Sequence, residues 1–583
     1  MDRLPKIVRR ILIGRRIITD QEQLEFLNPD YEVTNYDPFL LPGMKAAVKR
    51  LQQAADNNEL VTVYSDYDVD GTTSAAVLID ALPKFGLKID WRVPDRFKDG
   101  YGLNKKVIQE MADQGTKVLL TVDNGIVSFD EVKLANKLGM DVIVTDHHTP
   151  REELPEALAV IDPKILARDY PDEYDEHFVA KNKKECIKNG RYPFLDLCGC
   201  GVAFTLVRAL QKVMPDKLPA GQEKWLLDLV AMATVSDIVG LVDENRAIVK
   251  WGLIVLKNTR RPGIKALTAV ANIKPDGLTS RDIGFVLGPR INAAGRLKNA
   301  ALAIKLLSST DNEEALELAV ELNNLNTRRK SLQNKIYEET IKTIDPTEPL
   351  AIAVGKDWHE GVIGIVASKV EETTEKPTFV FSYKDTPGGE VYKASARSFG
   401  EFSIAAAINA TSSLLIKGGG HAAAGGVSVA GKDFATWRQA VNDYYRSLKL
   451  KDQKRFLYPE PDIAVNDLSD INVELVKSLD VLEPYGEANP VPVIKLHDVI
   501  INARRLMGSD LQHVRYVLSD DAGRKLTTVA FNAADKFTME PGEFGSVNRC
   551  DALVELMLNE WRGTVSVEAR LIKMDPVEGS LPK

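Results

Sequence analysis

Asp66, Asp68 and Asp70 stand at alternate positions in Val61-Thr-Val-Tyr-Ser-Asp-Tyr-Asp-Val-Asp-Gly-Thr72. In an extended chain, side chains two apart point the same way. The spacing therefore gathers three like charges on one side. Water alone gives no reason for this, whereas a hard divalent cation does. The alternation of Val61 and Val63 with Thr62 and Tyr64 predicts a strand leading in. Gly71 permits a sharp turn, and Thr72-Thr73-Ser74 offers N-caps for a helix from about 75 to 82.

Other carboxylates follow strand-like runs. Lys117-Val-Leu-Leu-Thr-Val-Asp123-Asn124-Gly reads as a buried strand ending in a carboxylate and a turn, with Ser128 able to cap the next helix. Asp141-Val-Ile-Val-Thr-Asp146-His147-His148 repeats the pattern, and Ala157-Leu-Ala-Val-Ile-Asp162-Pro adds another strand. Strands alternating with helices at this spacing predict a parallel α/β sheet, which binds ligands beyond the carboxyl ends of its strands. An Asp after a strand is more often a helix N-cap. Several in one sheet, two followed by further ligand-type residues, point instead to a site. The apolar helix around Trp225–Val239 carries Asp228 and Asp237, each needing a metal or a salt bridge.

The remaining segments must position these groups. Residues 1–40 read as an adaptor, with Asn28-Pro and Asp37-Pro as turns, and a helix spans about 44–57. Residues 165–196 are a polar excursion holding His177 and Cys186, with Cys198-Gly-Cys200 beyond it. Lacking a Cys-x2-Cys pair, these cysteines read as buried thiols rather than a zinc site. A helical pattern from about 300 to 344 bears Arg328, Arg329 and Lys330 and reads as a connecting helix or pair. A second α/β unit follows, over 347–450. It contains Trp358-His359-Glu-Gly, Ser395-Ala-Arg397 and Gly418-Gly-Gly420-His421. Its glycines allow backbone N–H groups to approach phosphate. The stretch 455–578 has five or six short strands, fitting a small barrel of the oligonucleotide-binding type. Arg504, Arg505, Arg515, Tyr516, Phe531, Trp561 and Arg562 supply the cation–aromatic mix that single strands favour.

At 583 residues the chain is too long for one core and predicts several domains: 1–40, 41–300, 301–346, 347–450 and 455–578. Four cysteines argue for a reducing compartment and a cytoplasmic protein. No apolar run is long enough to span a membrane. The net charge of −8 is no signature of a protein coated in nucleic acid. Yet residues 251–300 hold nine Lys or Arg against Asp276 and Asp282, net +7.

Asp66-Tyr-Asp68-Val-Asp70-Gly, Val122-Asp123-Asn124-Gly, Asp146-His147-His148 and Val235-Ser-Asp237 resemble, in order, the four motifs of the DHH phosphoesterase superfamily. Gly-Gly-Gly420-His421 resembles the DHHA1 domain that follows in part of it. Three further motifs narrow the resemblance to its bacterial 5′→3′ exonucleases specific for single-stranded DNA: Trp358-His-Glu-Gly-Val-Ile-Gly-Ile-Val-Ala, Gly288-Pro-Arg-Ile-Asn-Ala-Ala-Gly-Arg296 and Pro484-Tyr-Gly-Glu-Ala-Asn-Pro490. The resemblance implies a parallel-sheet DHH domain, a long connecting helix, a smaller α/β DHHA1 domain and an OB-type barrel.

It also implies a metal-dependent exonuclease of DNA repair and recombination, releasing 5′-mononucleotides. Its metal ligands would be Asp68, Asp70, Asp123, His147 and Asp237, holding two divalent cations, Mn²⁺ or Mg²⁺, ~4 Å apart with Asp123 shared. His148 and Asp66 would be catalytic. Asn124, Arg290, Arg296, Trp358, His359, Ser395, Arg397, Gly420 and His421 would bind substrate, Trp358 and His359 by stacking on the strand or positioning it. Expected partners are single-stranded DNA, a single-strand-binding protein and a helicase, acting on a monomer with no membrane attachment. Tyr64, Cys200 and Ala488 depart from the pattern, which has His, Ala and Gly there. Two rival readings are a DHH phosphoesterase of short oligonucleotides or small nucleotide phosphates, and a non-catalytic DNA-binding scaffold. The barrel argues against the first and the intact ligand set against the second.

Overall fold

The structure is a computed structural model and describes residues 4–96, 98–100, 102–450, 459–508, 510–542, 548–561 and 563–577. Five parallel strands make the first sheet: β1 (Leu60–Ser65), β2 (Lys88–Arg92), β3 (Thr116–Val122), β4 (Asp141–Thr145) and β5 (Ala159–Ile161). Their order is β2-β1-β3-β4-β5. Both faces are covered, so the strands read as nearly continuous apolar runs. Val61, Val63, Val118, Leu120 and Ile143 pack toward the helices Val69–Ala81, Gly199–Val213 and Leu227–Ser236. Tyr64, Leu119, Val142 and Val144 pack the other way, on the helices Lys105–Asp113 and Phe129–Lys137. The chain reverses its direction of travel across the sheet between β1 and β3, and such a switch point opens a crevice at the strands' carboxyl ends.

The expected alternation of Asp66, Asp68 and Asp70 along an extended chain does not hold. The strand stops at Ser65, and Asp68 itself is the N-cap of the helix Val69–Ala81, accepting the Gly71 N–H at 3.1 Å. Asp70 therefore lies in the first helical turn. Thr72 and Thr73 are inside the helix, their hydroxyls donating back to the carbonyls of Asp68 and Val69. A Cβ on Gly71 would lie 2.4 Å from the Asp66 carbonyl oxygen, so glycine is needed where the helix starts against the strand end.

The connecting segment is a pair of helices, Ala301–Ser308 and the 32-residue Asn312–Thr343. The second sheet has β6 (Ala351–Lys356), β7 (Thr378–Thr386), β8 (Gly389–Arg397), β9 (Lys417–Gly420) and β10 (Ala424–Ala430), ordered β6-β7-β8-β10-β9. Only β6 and β7 are parallel; the glycine-rich stretch around His421 is the β9–β10 hairpin. The third sheet has β11 (Ile463–Val465), β12 (Ile494–Met507), β13 (His513–Ser519), β14 (Lys525–Ala530), β15 (Arg549–Trp561) and β16 (Thr564–Pro576). Pairing of β12 with β15 closes β12-β13-β14-β16-β15 into a five-stranded barrel. Strand β12 runs through 14 residues, bent by register shifts against both barrel neighbours. Arg562 and the Trp561 side chain lie outside the described residues.

The N-terminal helix Lys6–Gly14 buries Val8, Ile11 and Leu12 in the barrel's core. Arg15 pairs with Asp462 at 2.7 Å. Arg246, from the first domain, is 2% exposed and donates to the carbonyls of Phe26, Leu482, Glu483 and Pro484. One buried guanidinium thus ties the N-terminal segment and the barrel to the sheet domain. Ala488 has a φ of 58°, the left-handed region that glycine favours.

Candidate active site

Six ligand-type side chains converge beyond β1, β3 and β4. Donor atoms of Asp66, Asp68 and Asp123 lie within 4.8 Å of one another, as do those of Asp70, His147 and Asp237. The two groups meet where His147 Nε2 stands 3.2 Å from Asp123 Oδ1, 3.6 Å from Asp70 Oδ2 and 3.7 Å from Asp237 Oδ2. Asp66, Asp70, Asp123 and His147 are buried; Asp68 and Asp237 are half-buried and open the site to solvent.

Each group is held by local structure. Asp123 turns out of β3 with a φ of 59°. Both Asp70 oxygens accept backbone N–H groups at the start of the helix Gly199–Val213, from Gly199 at 2.6 Å and Cys200 at 2.8 Å. A helix N-terminus is the favourable place for such an anion. Gly199 leaves no room for a side chain: a Cβ there would lie 2.7 Å from the Asp123 Cβ and 3.0 Å from Asp70 Oδ2. Asp237 ends the helix Leu227–Ser236, and the next residue, Ile238, is 68% exposed with a φ of 61°. A β-branched residue there stores about 1–2 kcal/mol of strain beside the carboxylate.

His148 Nδ1 meets Asp146 Oδ1 at 2.7 Å, and Asp146 also accepts the Ile126 N–H. The sequence motif contained Asp146, but its spacing alone did not assign it this orienting contact.

The electrostatics are one-sided. Burial first, then the surrounding carboxylates, push the carboxyl groups of Asp66 and Asp123 far above their usual range. Burial and Asp68 raise Asp70 to about 7, against the pull of the Cys200 and Gly199 N–H groups. Burial, Asp70 and Asp68 raise Asp237 to about 9. Burial and the neighbouring His148 hold the His147 imidazole down at about 3. Burial opposes the charge on His148, but the Asp146 bond outweighs it and lifts that imidazole to about 9. The site therefore has a neutral imidazole with its Nε2 lacking a hydrogen bond, a buried Asp66 Oδ1 in the same condition, and more carboxylates than protein cations to balance them. Such a donor set, mostly oxygen with one or two imidazoles, fits divalent cations of the Mg²⁺ and Mn²⁺ kind.

The basic stretch at 251–300 is not one cationic face. Arg261 is bound to Asp80 and Asp228, which supplies the partner that Asp228 required. Lys298 pairs with Glu321, and Arg260 lies over the Trp225 ring. Arg290 donates to the Asn323 side chain and the Val286 carbonyl. Arg296 has a long bond to the Gly361 carbonyl and forms no salt bridge among the described residues; burial, with Arg96 and Arg329 nearby, depresses its pKa to about 10. A Cβ on Gly295 would lie 2.6 Å from the Tyr67 carbonyl oxygen, and one on Gly361 2.1 Å from that of Arg296. Arg296 thus stands where the Asp66–Asp68 loop and the second domain's helix Glu360–Thr374 meet.

Arg96, a neighbour of Arg296, also lines a cleft of about 410 Å³, with Lys393, Ser395, Lys417, Gly418 and Gly419 among others. Arg397 donates to Ser368 Oγ at 3.0 Å; Gly364 carries no side chain where Ser395 and Arg397 approach, 3.3 and 3.5 Å from where its Cβ would stand. Gly420 has a φ of 153°, with the Ala424 carbonyl 2.4 Å from a would-be Cβ, and His421 is exposed on the hairpin. His359 caps the helix Glu360–Thr374 through Nδ1. Arg96 went unnoticed in the sequence, although its place in the loop after β2, at a strand's carboxyl end, was a usable signal.

Two expected substrate contacts are placed differently. Trp358 is 8% exposed, donates its indole N–H to Glu339 at 2.8 Å, and packs over Gly355 among Ile336, Val362 and Val366. Its ring offers no free face to a base, which corrects the expectation that it stacks on the strand. Asn124 is 2% exposed and its amide donates to the Val122 carbonyl, turning the group toward the sheet. Tyr64 likewise points to the core, its hydroxyl on the Gly102 carbonyl. The cysteines at 186, 198 and 200 are buried free thiols.

Comparison with known proteins agrees with this geometry. The chain matches the DHH family N-terminal domain over residues 60–234, the DHHA1 domain over 347–447 and the RecJ OB domain over 464–573. It is 34% identical to the single-stranded-DNA-specific exonuclease RecJ of Bacillus subtilis over 95% of this chain and 66% of that one, so it spans just under two thirds of that relative. It is 32% identical to the same-named protein of Dickeya dadantii, covering 99% of this chain and 97% of that one. The crystal structure of RecJ from Thermus thermophilus in complex with Mn²⁺ matches at a TM-score of 0.74 and 26% identity, over 99% of this chain and 79% of that one. With three domain matches along the chain and 32% identity to the Dickeya relative over nearly the full length of both, the chain belongs to the RecJ family of the DHH proteins.

Proposed function

We propose that this protein is a metal-dependent exonuclease that hydrolyses single-stranded DNA from its 5′ end to 5′-mononucleotides, in DNA repair and recombination. The observation that carries the reading is the buried excess of carboxylates around the neutral His147, whose Nε2 lacks a hydrogen bond, beside Arg296, which forms no salt bridge among the described residues. Asp68, Asp70, Asp123, His147 and Asp237 would hold two divalent cations, with Asp123 shared. Bound there, the ions supply Lewis acidity, which activates water and offsets charge on the leaving oxygen.

The chain's own groups do the rest. Gly199 and Cys200 N–H groups hold Asp70, fixing its ligand geometry. Asp146 keeps the His148 ring protonated and oriented, so that it donates to a phosphate oxygen as charge develops. Asp66, close beside Asp68, shares the electrostatics of the loop and would serve as a proton acceptor once bound cations offset the burial and the neighbouring charge that keep its carboxyl protonated. Arg296 and Arg290 hold phosphates of the strand. Ser395 and Arg397, with Arg96, take the 5′-terminal phosphate, and the Gly418–His421 hairpin offers backbone N–H groups near it. His359 caps its helix beside them. Four buried free thiols fit a reducing compartment, so the cytoplasm is the proposed place of action, with a single-strand-binding protein and a helicase as partner classes and a monomer as the working form.

Digestion of one strand labelled at either end tests this, with Mn²⁺, Mg²⁺ and chelator compared. Release of labelled mononucleotide from the 5′ label at the earliest times, abolished by chelator, is expected. Initial release from the 3′ label, or activity confined to short oligonucleotides, would contradict it.

A further inference from the structure

Phe285 is the most exposed large apolar side chain among the described residues, at 74%. It lies on a five-residue π-helical turn, Ile283–Leu287, closed by the Gly288 N–H on the Ile283 carbonyl. Such wide turns recur at functional sites. This one is built tightly into the domain. Ile283 and Leu287 are fully buried, a Cβ on Gly284 would lie 3.6 Å from Val235 Cγ1, and one on Gly288 2.8 Å from Ser236 Oγ. Val235 and Ser236 directly precede Asp237, so the turn is fixed to the rim of the candidate active site.

One cation lies over the ring and a second is bound to the backbone of the same turn. The Arg281 guanidinium lies 5.5 Å from its centroid, and Arg290 Nη1 takes the Val286 carbonyl at 2.7 Å on the same turn. Neither arginine forms a salt bridge among the described residues, in a protein whose net charge is −8. An aromatic ring held open to solvent beside one arginine, on a turn that a second arginine braces, matches what a single nucleic-acid strand offers: flat bases between anionic phosphates. Bare burial considerations would place a phenylalanine elsewhere.

We propose that Phe285 is a base-stacking platform at the mouth of the active site, with Arg281 and Arg290 taking the phosphates on either side of the stacked nucleotide. The proposal rests on the reading of this chain as an enzyme of single-stranded DNA, and adds to it a contact that selects a strand with unstacked bases.

The test is binding of full-length protein, in chelator, to a fluorescent dodecamer of single-stranded DNA and to a matching strand in which every base is replaced by an abasic tetrahydrofuran residue. Phe285→Ala binds the base-bearing strand about five- to a hundredfold more weakly than the unmodified protein. Phe285→Tyr restores that affinity, and all three proteins bind the abasic strand alike. Arg281→Gln lowers the slope of log affinity against log salt by about 0.7 on both strands. Undiminished binding of the base-bearing strand by Phe285→Ala overturns the proposal. So does a loss of equal size on the abasic strand, which would mark a disturbed fold. An unmodified protein that binds neither strand overturns the reading beneath it as well.

Discussion

Replacing Gly199 with Ala perturbs the site without removing any ligand. The new Cβ would stand 2.7 Å from the Asp123 Cβ, 2.9 Å from its Cα and 3.0 Å from Asp70 Oδ2. Ordinary carbon–carbon contacts are about 3.5–4.0 Å, so Asp123 and the helix start must separate by roughly 1 Å. Neither can yield freely: Asp123 leaves β3 in a left-handed turn, and the Gly199 and Cys200 N–H groups are bound to Asp70. A displacement of that size in a reacting constellation costs about a hundredfold in rate, or about 2.7 kcal/mol. Overpacking would lower stability by about 1–3 kcal/mol. The assay is Mn²⁺ affinity by calorimetry together with kcat on a 5′-labelled strand. Gly277→Ala serves as the control, since its Cβ would meet nothing within 4 Å. Unchanged Mn²⁺ affinity and kcat in Gly199→Ala would refute the idea that this turn sets the ligand geometry.

Folded-state carboxyl pKa values raised above their unfolded values mean that the metal-free fold binds extra protons, so its stability falls as pH rises from about 4 through the raised values of Asp70, near 7, and Asp237, near 9. In chelator, Tm is expected to rise on acidification from pH 8 to 6, and Mn²⁺ should raise Tm most at pH 8; calorimetry at both pH values checks this. Asp146→Asn removes the bond that lifts His148 to about 9, so the alkaline limb of the pH–rate profile is expected to move toward neutrality. A limb left in place argues that His148 is not the proton donor. Arg246→Met leaves four carbonyls without their charged donor and should lower stability by about 3 kcal/mol or more, measured by denaturant unfolding. Trp358→Ala should cost about 3–5 kcal/mol through the cavity it leaves, while strand affinity per folded molecule stays within about twofold.

The ligand types were readable in the sequence because each follows a strand or ends an apolar helix, where a carboxylate has no structural reason to gather with others. How they converge was not readable. The alternate spacing of Asp66, Asp68 and Asp70 suggested an extended chain, yet Asp68 caps a helix that begins one residue later, and capping overrode the strand pattern. Asp70 meets Asp123 through the Gly199 turn, which lies 129 residues downstream of Asp70 and whose role is spatial. The net +7 of residues 251–300 overstated a surface because Asp80, Asp228 and Glu321, distant in sequence, neutralise Arg261 and Lys298. Trp358 looked available because a loop tryptophan can be either platform or core; Gly355, with no side chain, makes room for it in the core. The barrel's closure depends on β12 pairing with β15, a long-range contact that local alternation does not encode.

The claim on which the rest depends is that two divalent cations bind together at Asp123. Titration of metal-free protein with Mn²⁺, followed by electron paramagnetic resonance, should give two ions per chain with a spin-coupled signal, and Asp123→Ala should lose the coupling and at least one ion. Two coupled ions held by Asp123→Ala at unaltered affinity, or none held by the unmodified chain, would contradict it.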